Sequence, residues 1–131
     1  MADTRDAIWL CNLGDRIKVE ALPPGISMIT AHDRNDTANS RRIRHFLPLF
    51  ESATPPDPQA GDWRAWEALM ASRQFAEGGG VYDAMTIAGK DGFETLSSAL
   101  MALPAVGSEH KAIWQFAAGR PDATAYRPVV A

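Results

Sequence analysis

Hydrophobic and polar positions alternate near the start of the chain, which is the pattern of a pair of half-buried strands. Residues 7–13 are rich in strand-forming side chains, and residues 16–22 place apolar side chains at alternate positions. The two residues between these runs, Gly14 and Asp15, favour a tight hairpin turn. We therefore predict an antiparallel hairpin over residues 7–22. Its two-residue turn sets the facing pairs, which are Leu10 with Val19 and Cys11 with Lys18.

Two segments in the middle of the chain carry apolar side chains at helical spacing. Residues 40–51 are apolar at positions 43, 46, 47 and 50, which predicts one face of an amphipathic helix. Asn39 or Ser40 is placed to cap this helix, and Pro48 is expected to kink or shorten it. Residues 62–75 predict a second helix, with Asp62 as its cap and two tryptophans on its apolar side.

The other apolar segments are predicted to be strands. Residues 26–31 form one, residues 84–88 and 93–103 form a second hairpin around a turn at 89–92, and residues 112–117 form the last. This order predicts an α+β fold, with antiparallel sheets and two helices packed on one face, in a single domain over residues 1–131. The expected core comprises Leu10, Val19, Ile29, Phe46, Trp66, Leu69, Ile87, Leu100 and Trp114.

Several stretches occur in an order that resembles a known family. They are Leu22-Pro23-Pro24-Gly25, residues 41–50 (RRIRHFLPLF), residues 62–71 (DWRAWEALMA), residues 91–104 (DGFETLSSALMALP) and Tyr126-Arg127-Pro128-Val129. Together they resemble the C-terminal half of the NRDE family, which includes the transport-and-Golgi-organisation type proteins. The resemblance implies half of an αββα sandwich of the N-terminal-nucleophile hydrolase type. It also implies an association with haem handling and lipid metabolism.

The sequence departs from the family at the residues that carry its chemistry. Ala2 follows Met1 where family members have a cysteine, and the naming Asn-Arg-Asp-Glu string is absent. Two functions are therefore considered. One is a non-catalytic binding or assembly module that handles haem or another hydrophobic anionic ligand. The other is part of an amidohydrolase-like enzyme of the N-terminal-nucleophile type, whose nucleophile half is on a separate chain.

Composition and charge indicate which kinds of partner and which cellular compartment to expect. The formal net charge is −3, which offers nucleic acid or anionic lipid no general attraction. A single cysteine excludes an intrachain disulfide and favours a reducing compartment, so we expect a cytoplasmic protein. No apolar run approaches the roughly 20 residues of a membrane span.

Residues with catalytic or metal-binding chemistry are few, and the pattern around them favours structural roles. Cys11 faces Lys18 in the predicted hairpin, which would favour a thiolate, but we interpret it as a structural cysteine. His32, Asp33 and Asp36 could hold a metal on one loop, yet their spacing matches no closed metal motif, and a solvated loop is the preferred interpretation. We predict no catalytic and no metal-binding residue in this chain.

A basic cluster at the start of the first helix is the candidate ligand site. Arg41 and Arg44 share a helix side beside free N–H groups, where a carboxylate or a haem propionate would bind. His45, or alternatively His110, would offer a ligand to haem iron. The predicted ligand-binding residues are Arg41, Arg44 and His45, and haem is the cofactor that the family resemblance implies.

We also predict that the chain is a homodimer, or that it pairs with a separate N-terminal half. The first strand is apolar on both faces, and the last strand places Trp114 and Phe116 on the face opposite Ile113. Such faces are expected to be covered by a partner. A homodimer that buries at least about 1,600 Å² through sheet faces or edge strands would cover them.

Overall fold

The computed structural model describes residues 1–3 and 5–129, and over these residues it contains two antiparallel sheets and two α-helices. The elements along the chain are β1 (Ile8–Asn12), β2 (Ile17–Ala21), α1 (Arg41–Ser52), α2 (Arg64–Met70), a 3₁₀ turn (Val81–Asp83), β3 (Ser98–Ala102), β4 (Ile113–Ala117) and β5 (Arg127–Pro128). Strands β1 and β2 form one sheet, and the other has the order β3-β4-β5. The predicted α+β class is confirmed.

The first hairpin has the predicted register. Leu10 pairs with Val19 and Cys11 with Lys18, around a turn in which Gly14 has a φ of +92°. Trp9 is buried on one face, and the Lys18 ammonium lies 4.9 Å from the centroid of its ring. The opposite face is exposed, since Val19 retains 58% and Leu10 43% of its accessible surface. The expectation that Leu10 and Val19 belong to the core is therefore wrong.

Helix α1 supplies four of the nine buried hydrophobic side chains among the described residues. Ser40 caps it, because its hydroxyl oxygen accepts a hydrogen bond from the backbone N–H of Ile43 at 3.2 Å. The buried side chains fall at the predicted spacing and are Ile43, Phe46, Leu47 and Phe50. Pro48 lies inside the helix on an exposed side and does not end it, since the helix continues to Ser52. On that side, water is available to the backbone carbonyl that the proline leaves unpaired.

Helix α2 is shorter than predicted and ends at Met70 rather than near residue 75. A neighbouring segment intervenes at its C-terminal end. The buried Thr86 donates its hydroxyl proton to the carbonyl of Met70 at 2.7 Å and its backbone N–H to the carbonyl of Ser72. Because Thr86 satisfies these carbonyls, the chain leaves the helix without exposing them to an apolar environment. At the other end the cap position is Trp63, one residue after the predicted Asp62.

Two of the predicted strands do not join a sheet. Residues 26–31 are placed in no strand, and the side chain of Asn35 binds their backbone instead. Residues 84–88 and 93–103 form only an isolated bridge between Ala88 and Glu94, beside which Ile87 and Thr95 are hydrogen-bonded. Within the second of these segments only Ser98–Ala102 is a strand, and it pairs with β4. The predicted hairpin over residues 84–103 is therefore wrong beyond its turn.

The expected core is confirmed only in part. Phe46 and Leu100 are buried, whereas Ile29 and Trp114 are exposed by 45% and 42%. The remaining three expected core residues are half-buried and are Trp66, Leu69 and Ile87. In the β3–β4 pair the buried face carries Ser98, Leu100 and Ala117, and the exposed face carries Ala99, Met101 and Trp114. No helix in the described chain is long and apolar enough to cross a membrane.

Candidate functional site

A groove of about 410 Å³ lies between the segment 26–31, the two helices and strand β3. Apart from Met1, the chain has methionines only at positions 28, 70, 85 and 101, and all four side chains line this groove. Aromatic residues complete the apolar surface and are Phe50, Trp63 and Trp66. The Phe50 and Trp66 rings meet edge to face with their centroids 5.4 Å apart, which joins α1 to α2 beneath the groove.

This lining suits a ligand of irregular apolar shape. Methionine is unbranched and polarisable, so its side chain adapts to the surface that it contacts. The volume lies within the range of small-molecule pockets, which is roughly 300–1,000 Å³. The groove is therefore large enough for an acyl chain or a flat aromatic molecule.

Several buried polar atoms around the groove have no hydrogen-bond partner among the described residues. They are the hydroxyl of Ser27, Nε of Arg42 and the indole Nε1 atoms of Trp63 and Trp66, and each belongs to a residue that lines the groove. A buried donor without an acceptor is costly, and native structures contain few. Three of these atoms are N–H donors, and each lies beneath the groove surface on a residue that lines it.

Arg42 gives the groove its charge. It is the one ionisable residue among the described residues that line the groove. Its Nη2 donates a hydrogen bond to the carbonyl of Tyr82, which fixes the guanidinium while Nε stays unpartnered. No carboxylate, imidazole or thiol is among those lining residues, so the groove lacks a general base or acid.

Tyr82, whose backbone carbonyl binds Arg42, makes a second hydrogen bond through its side chain. The Tyr82 hydroxyl donates to a carboxylate oxygen of Asp91. This bond raises the pKa of Tyr82 and lowers the pKa of Asp91, because the hydroxyl proton stabilises the ionised carboxylate. The bond ties the 3₁₀ turn to the turn at residues 89–92 and so limits the movement of the Arg42 anchor.

One wall of the groove depends on a single asparagine. The Asn35 side chain accepts a hydrogen bond from the Met28 N–H at 2.7 Å and donates one to the Ile26 carbonyl at 3.1 Å. Its own N–H donates to the Met28 carbonyl at 2.9 Å. These bonds replace the strand partner that residues 26–28 lack in the described chain, and they hold Met28 at the groove.

Two of the three sequence-predicted site residues lie together, but away from the apolar groove. Arg41 and Arg44 line a separate polar hollow, which also contains the carboxylate of Asp83. The Arg44 guanidinium donates to the carbonyls of Thr37 and Ala38, at 2.7 and 2.8 Å, and so ties the preceding loop to the helix. The hollow is thus basic, but one of its arginines is already engaged and a carboxylate shares it.

His45, the third predicted residue, does not line this hollow. Its ring packs edge to face against Phe46 with the centroids 4.7 Å apart. Its Nε2 is buried and has no hydrogen-bond partner in the part of the chain that the structure describes. The site at Arg41, Arg44 and His45 stays a prediction. His110 is exposed.

The other candidates from the sequence are Cys11 and the polar loop before α1, which contains Asp36. Cys11 is half-buried in β1 opposite Lys18. The Asp36 carboxylate accepts hydrogen bonds from the Asn39 side chain and from two backbone N–H groups, which lowers its pKa and shapes the loop before α1. Among residues 1–3 and 5–129, no three histidine, cysteine or carboxylate side chains converge as a metal site.

The sequence did not reveal the groove, because its lining comes from separate parts of the chain. Residues 28, 42, 63, 66, 70, 85 and 101 share no period and no motif, and Arg42 stands among other arginines with nothing to distinguish it. The one signal in the sequence was its small set of internal methionines, at positions 28, 70, 85 and 101, which the fold brings together. Comparisons with protein-family models, curated proteins and solved structures found no match.

Proposed function

We propose that this protein is a non-catalytic binding module whose groove holds an amphipathic carboxylate, a molecule with an apolar body and an anionic end. The observation that carries the proposal is the set of unpartnered donors on Arg42, Trp63 and Trp66 within an otherwise apolar, methionine-rich groove. On binding, the side chains that cover these donors would move aside, and a carboxylate would accept from the Arg42 Nε and from the indole N–H groups. The apolar body would lie on the methionine side chains.

Haem is one such carboxylate, and the residues of the groove fit its chemistry. Thioether sulfur is a known axial ligand of haem iron, and the groove has four thioethers but no histidine. Arg42 would pair with a propionate. The resemblance to the NRDE family supports haem as the first ligand to test, and a long-chain fatty acid is the metal-free alternative with the same anionic end.

The test compares two adjacent arginines. Haem and oleate are titrated separately into the wild-type protein and into Arg42→Met and Arg41→Met variants, with tryptophan fluorescence and the Soret band as signals. We expect Arg42→Met to weaken binding by about 10- to 100-fold, since a hydrogen bond to a charged group contributes about 1.5–3 kcal/mol. Arg41→Met is the matched control and should bind within about twofold of wild type, because Arg41 lies outside the groove.

Each result has a clear meaning. Stronger loss in Arg41→Met than in Arg42→Met would move the site to the polar hollow with Arg44. Binding of oleate but not haem would exclude ligation of haem iron and would retain the proposal that the groove binds an amphipathic carboxylate. Failure of both compounds to bind at tens of micromolar would refute the proposal. Urea unfolding of each variant checks that Arg42→Met has not lost stability along with its bond to the Tyr82 carbonyl.

A second candidate function is half of an N-terminal-nucleophile amidohydrolase, with the nucleophile on a separate chain. One observation favours it: β3 is an edge strand, and residues 26–31 line the groove opposite it without a backbone bond to β3 in the described chain. The open edge of β3 offers its unpaired backbone groups to a strand from another protein. A neighbouring reading frame that begins Met-Cys and encodes Asn-Arg-Asp-Glu, and whose product co-purifies with this chain, would support this alternative over the first.

We propose in addition that the protein forms a homodimer. The support is the apolar surface that the described fold leaves uncovered, at Leu10, Ile17 and Val19 on the hairpin and at Met101 and Trp114 on the larger sheet. Light scattering at micromolar concentration tests this proposal. A species of 14.2 kDa alone would refute it.

A further inference from the structure

Strand β2 has an open outer edge. It lies in a two-stranded sheet, and within residues 1–3 and 5–129 no other strand pairs with it. Two backbone hydrogen bonds flank the hairpin, from the Leu13 N–H to the Arg16 carbonyl and from the Leu22 N–H to the Ala7 carbonyl. They show that the even-numbered residues of β2 are those whose backbone N–H and C=O groups point towards β1. Since N–H and C=O groups alternate in direction along an antiparallel strand, those of Ile17, Val19 and Ala21 point outward.

The sequence of β2 is complementary to itself around its central residue. Read outward from Val19, the strand has Lys18 on one side and Glu20 on the other, and then Ile17 and Ala21. An antiparallel copy centred on the same valine therefore places Lys18 opposite Glu20 and Ile17 opposite Ala21. Centring the pair on residue 18 or residue 20 would instead place like charges opposite each other, which is destabilising.

We propose that the β2 strands of two copies pair antiparallel across a two-fold axis at Val19, and so join the two hairpins into one four-stranded sheet. This inference rests on the self-association proposed above and names its surface. The occupant of the open edge is a second copy of this chain, because the strand itself supplies both charges in the complementary order.

The hydrogen-bond pattern agrees with this register. The outward N–H and C=O groups of Ile17, Val19 and Ala21 all find partners on the copy, because these residues occupy hydrogen-bonded positions. Lys18 and Glu20 then occupy the non-hydrogen-bonded positions, where facing side chains approach most closely. Both side chains are partly exposed and already lie within 3.0 Å of each other in one chain, so the pairing would join four charges in one network.

The pairing also reduces the exposure of the apolar hairpin face. Ile17 retains 68% of its accessible surface in the single chain. In the proposed sheet its side chain would contact Ala21 of the copy, and Val19 would contact its own counterpart. An isolated two-stranded sheet is marginally stable, and no proline or bulge interrupts β2 to prevent further pairing.

Charge reversal tests the proposal through mixing. Lys18→Glu and Glu20→Lys each place like charges across the interface, whereas an equimolar mixture of the two variants restores both opposite-charge pairs. By sedimentation velocity over a range of micromolar concentrations we expect the wild type to form a dimer. Each single variant should dimerise about tenfold or more weakly, and the mixture and the double variant Lys18→Glu/Glu20→Lys should recover wild-type affinity.

The outcomes separate this inference from the proposals on which it stands. A wild-type dimer that is insensitive to both reversals would overturn the β2 pairing while self-association stands. A wild-type monomer throughout the concentration range would overturn both. The β2 pairing would also be overturned if the double variant dimerised but the mixture of the two single variants did not recover wild-type affinity. Circular dichroism verifies folding, and a single variant that does not fold leaves the double variant, which keeps both charges, as the decisive sample.

Discussion

Asn35 carries the most informative prediction for stability, because its side chain and its backbone conformation contribute separately. Its φ of +55° is left-handed, the only such value at a non-glycine residue in the described chain. Its amide bonds the N–H of Met28 and the carbonyl of Ile26. Replacing it with glycine removes the amide but allows the left-handed backbone conformation without strain. Replacing it with alanine removes the amide and also strains that conformation.

The expected losses of stability follow from these two contributions. Two part-buried hydrogen bonds at about 0.5–1.5 kcal/mol each predict that Asn35→Gly lowers the free energy of unfolding by about 1–3 kcal/mol. Asn35→Ala should lose about 1 kcal/mol more, the usual cost of a left-handed conformation at a residue with a Cβ. Asn35→Asp keeps the acceptor for the Met28 N–H and loses the donor to Ile26, so it should fall between wild type and glycine.

Urea unfolding of the wild type and the three variants measures these losses. Binding of oleate gives a second readout, since Asn35 holds the wall that carries Met28. Both readouts should rank the variants in the same order. Equal stability of the glycine and alanine variants would refute the argument from φ. A loss below about 0.5 kcal/mol in Asn35→Gly would refute the argument from the amide hydrogen bonds.

Three further predictions concern other parts of the molecule. Phe46→Ala should lower the free energy of unfolding by about 3–5 kcal/mol in urea titrations, because Phe46 is fully buried. The pKa of Asp62 is lowered to about 2 by hydrogen bonds from the Arg64 side chain and backbone, so its contribution to stability is complete above the unfolded value of 3.8 and is lost as the pH falls from there towards 2. Asp62→Asn should therefore flatten the acid limb of a stability–pH series, and an unchanged limb would contradict this. Gly89→Ala should cost about 1–3 kcal/mol by thermal unfolding, because the added Cβ would lie 2.5 Å from a backbone oxygen, whereas Gly80→Ala meets no atom within 4 Å and serves as control.

The parts of the fold that were predictable from the sequence are those determined locally. The first hairpin depends on two adjacent runs and a two-residue turn, so its register followed from the positions of Gly14 and Asp15. Helix α1 depends on its own apolar spacing and on Ser40, and both were visible. The expectation that its neighbour would extend to residue 75 was wrong, because Thr86, distant in sequence, satisfies the carbonyl of the last helical residue, Met70.

The strands that were wrong show how side chains compete with sheet pairing. Residues 26–31 have a strand-like composition, but Asn35 takes the backbone bonds that a neighbouring strand would make. In the segment after the turn at 89–92, the Thr95 hydroxyl accepts the Ile87 N–H at 2.9 Å in a similar way. Propensity identifies segments that favour extended backbone, but it does not identify which partner is available.

The candidate site was less predictable than the fold. Three arginines, at positions 41, 42 and 44, were candidates for its basic residue. Their positions on the helix favoured Arg41 and Arg44, which line the separate polar hollow. The distinguishing property of Arg42 is a buried, unpartnered Nε. That property depends on three-dimensional packing and leaves no trace in spacing or composition.

The concentration of methionines in the groove gives the molecule a built-in reporter of occupancy. In protein labelled with ¹³C only at the methionine methyl groups, the signals of Met28, Met70, Met85 and Met101 all arise from the groove. The exposed Met1, outside it, serves as an internal reference. A molecule that enters the groove would shift the four signals together, so the location of binding can be identified without assigning the rest of the spectrum.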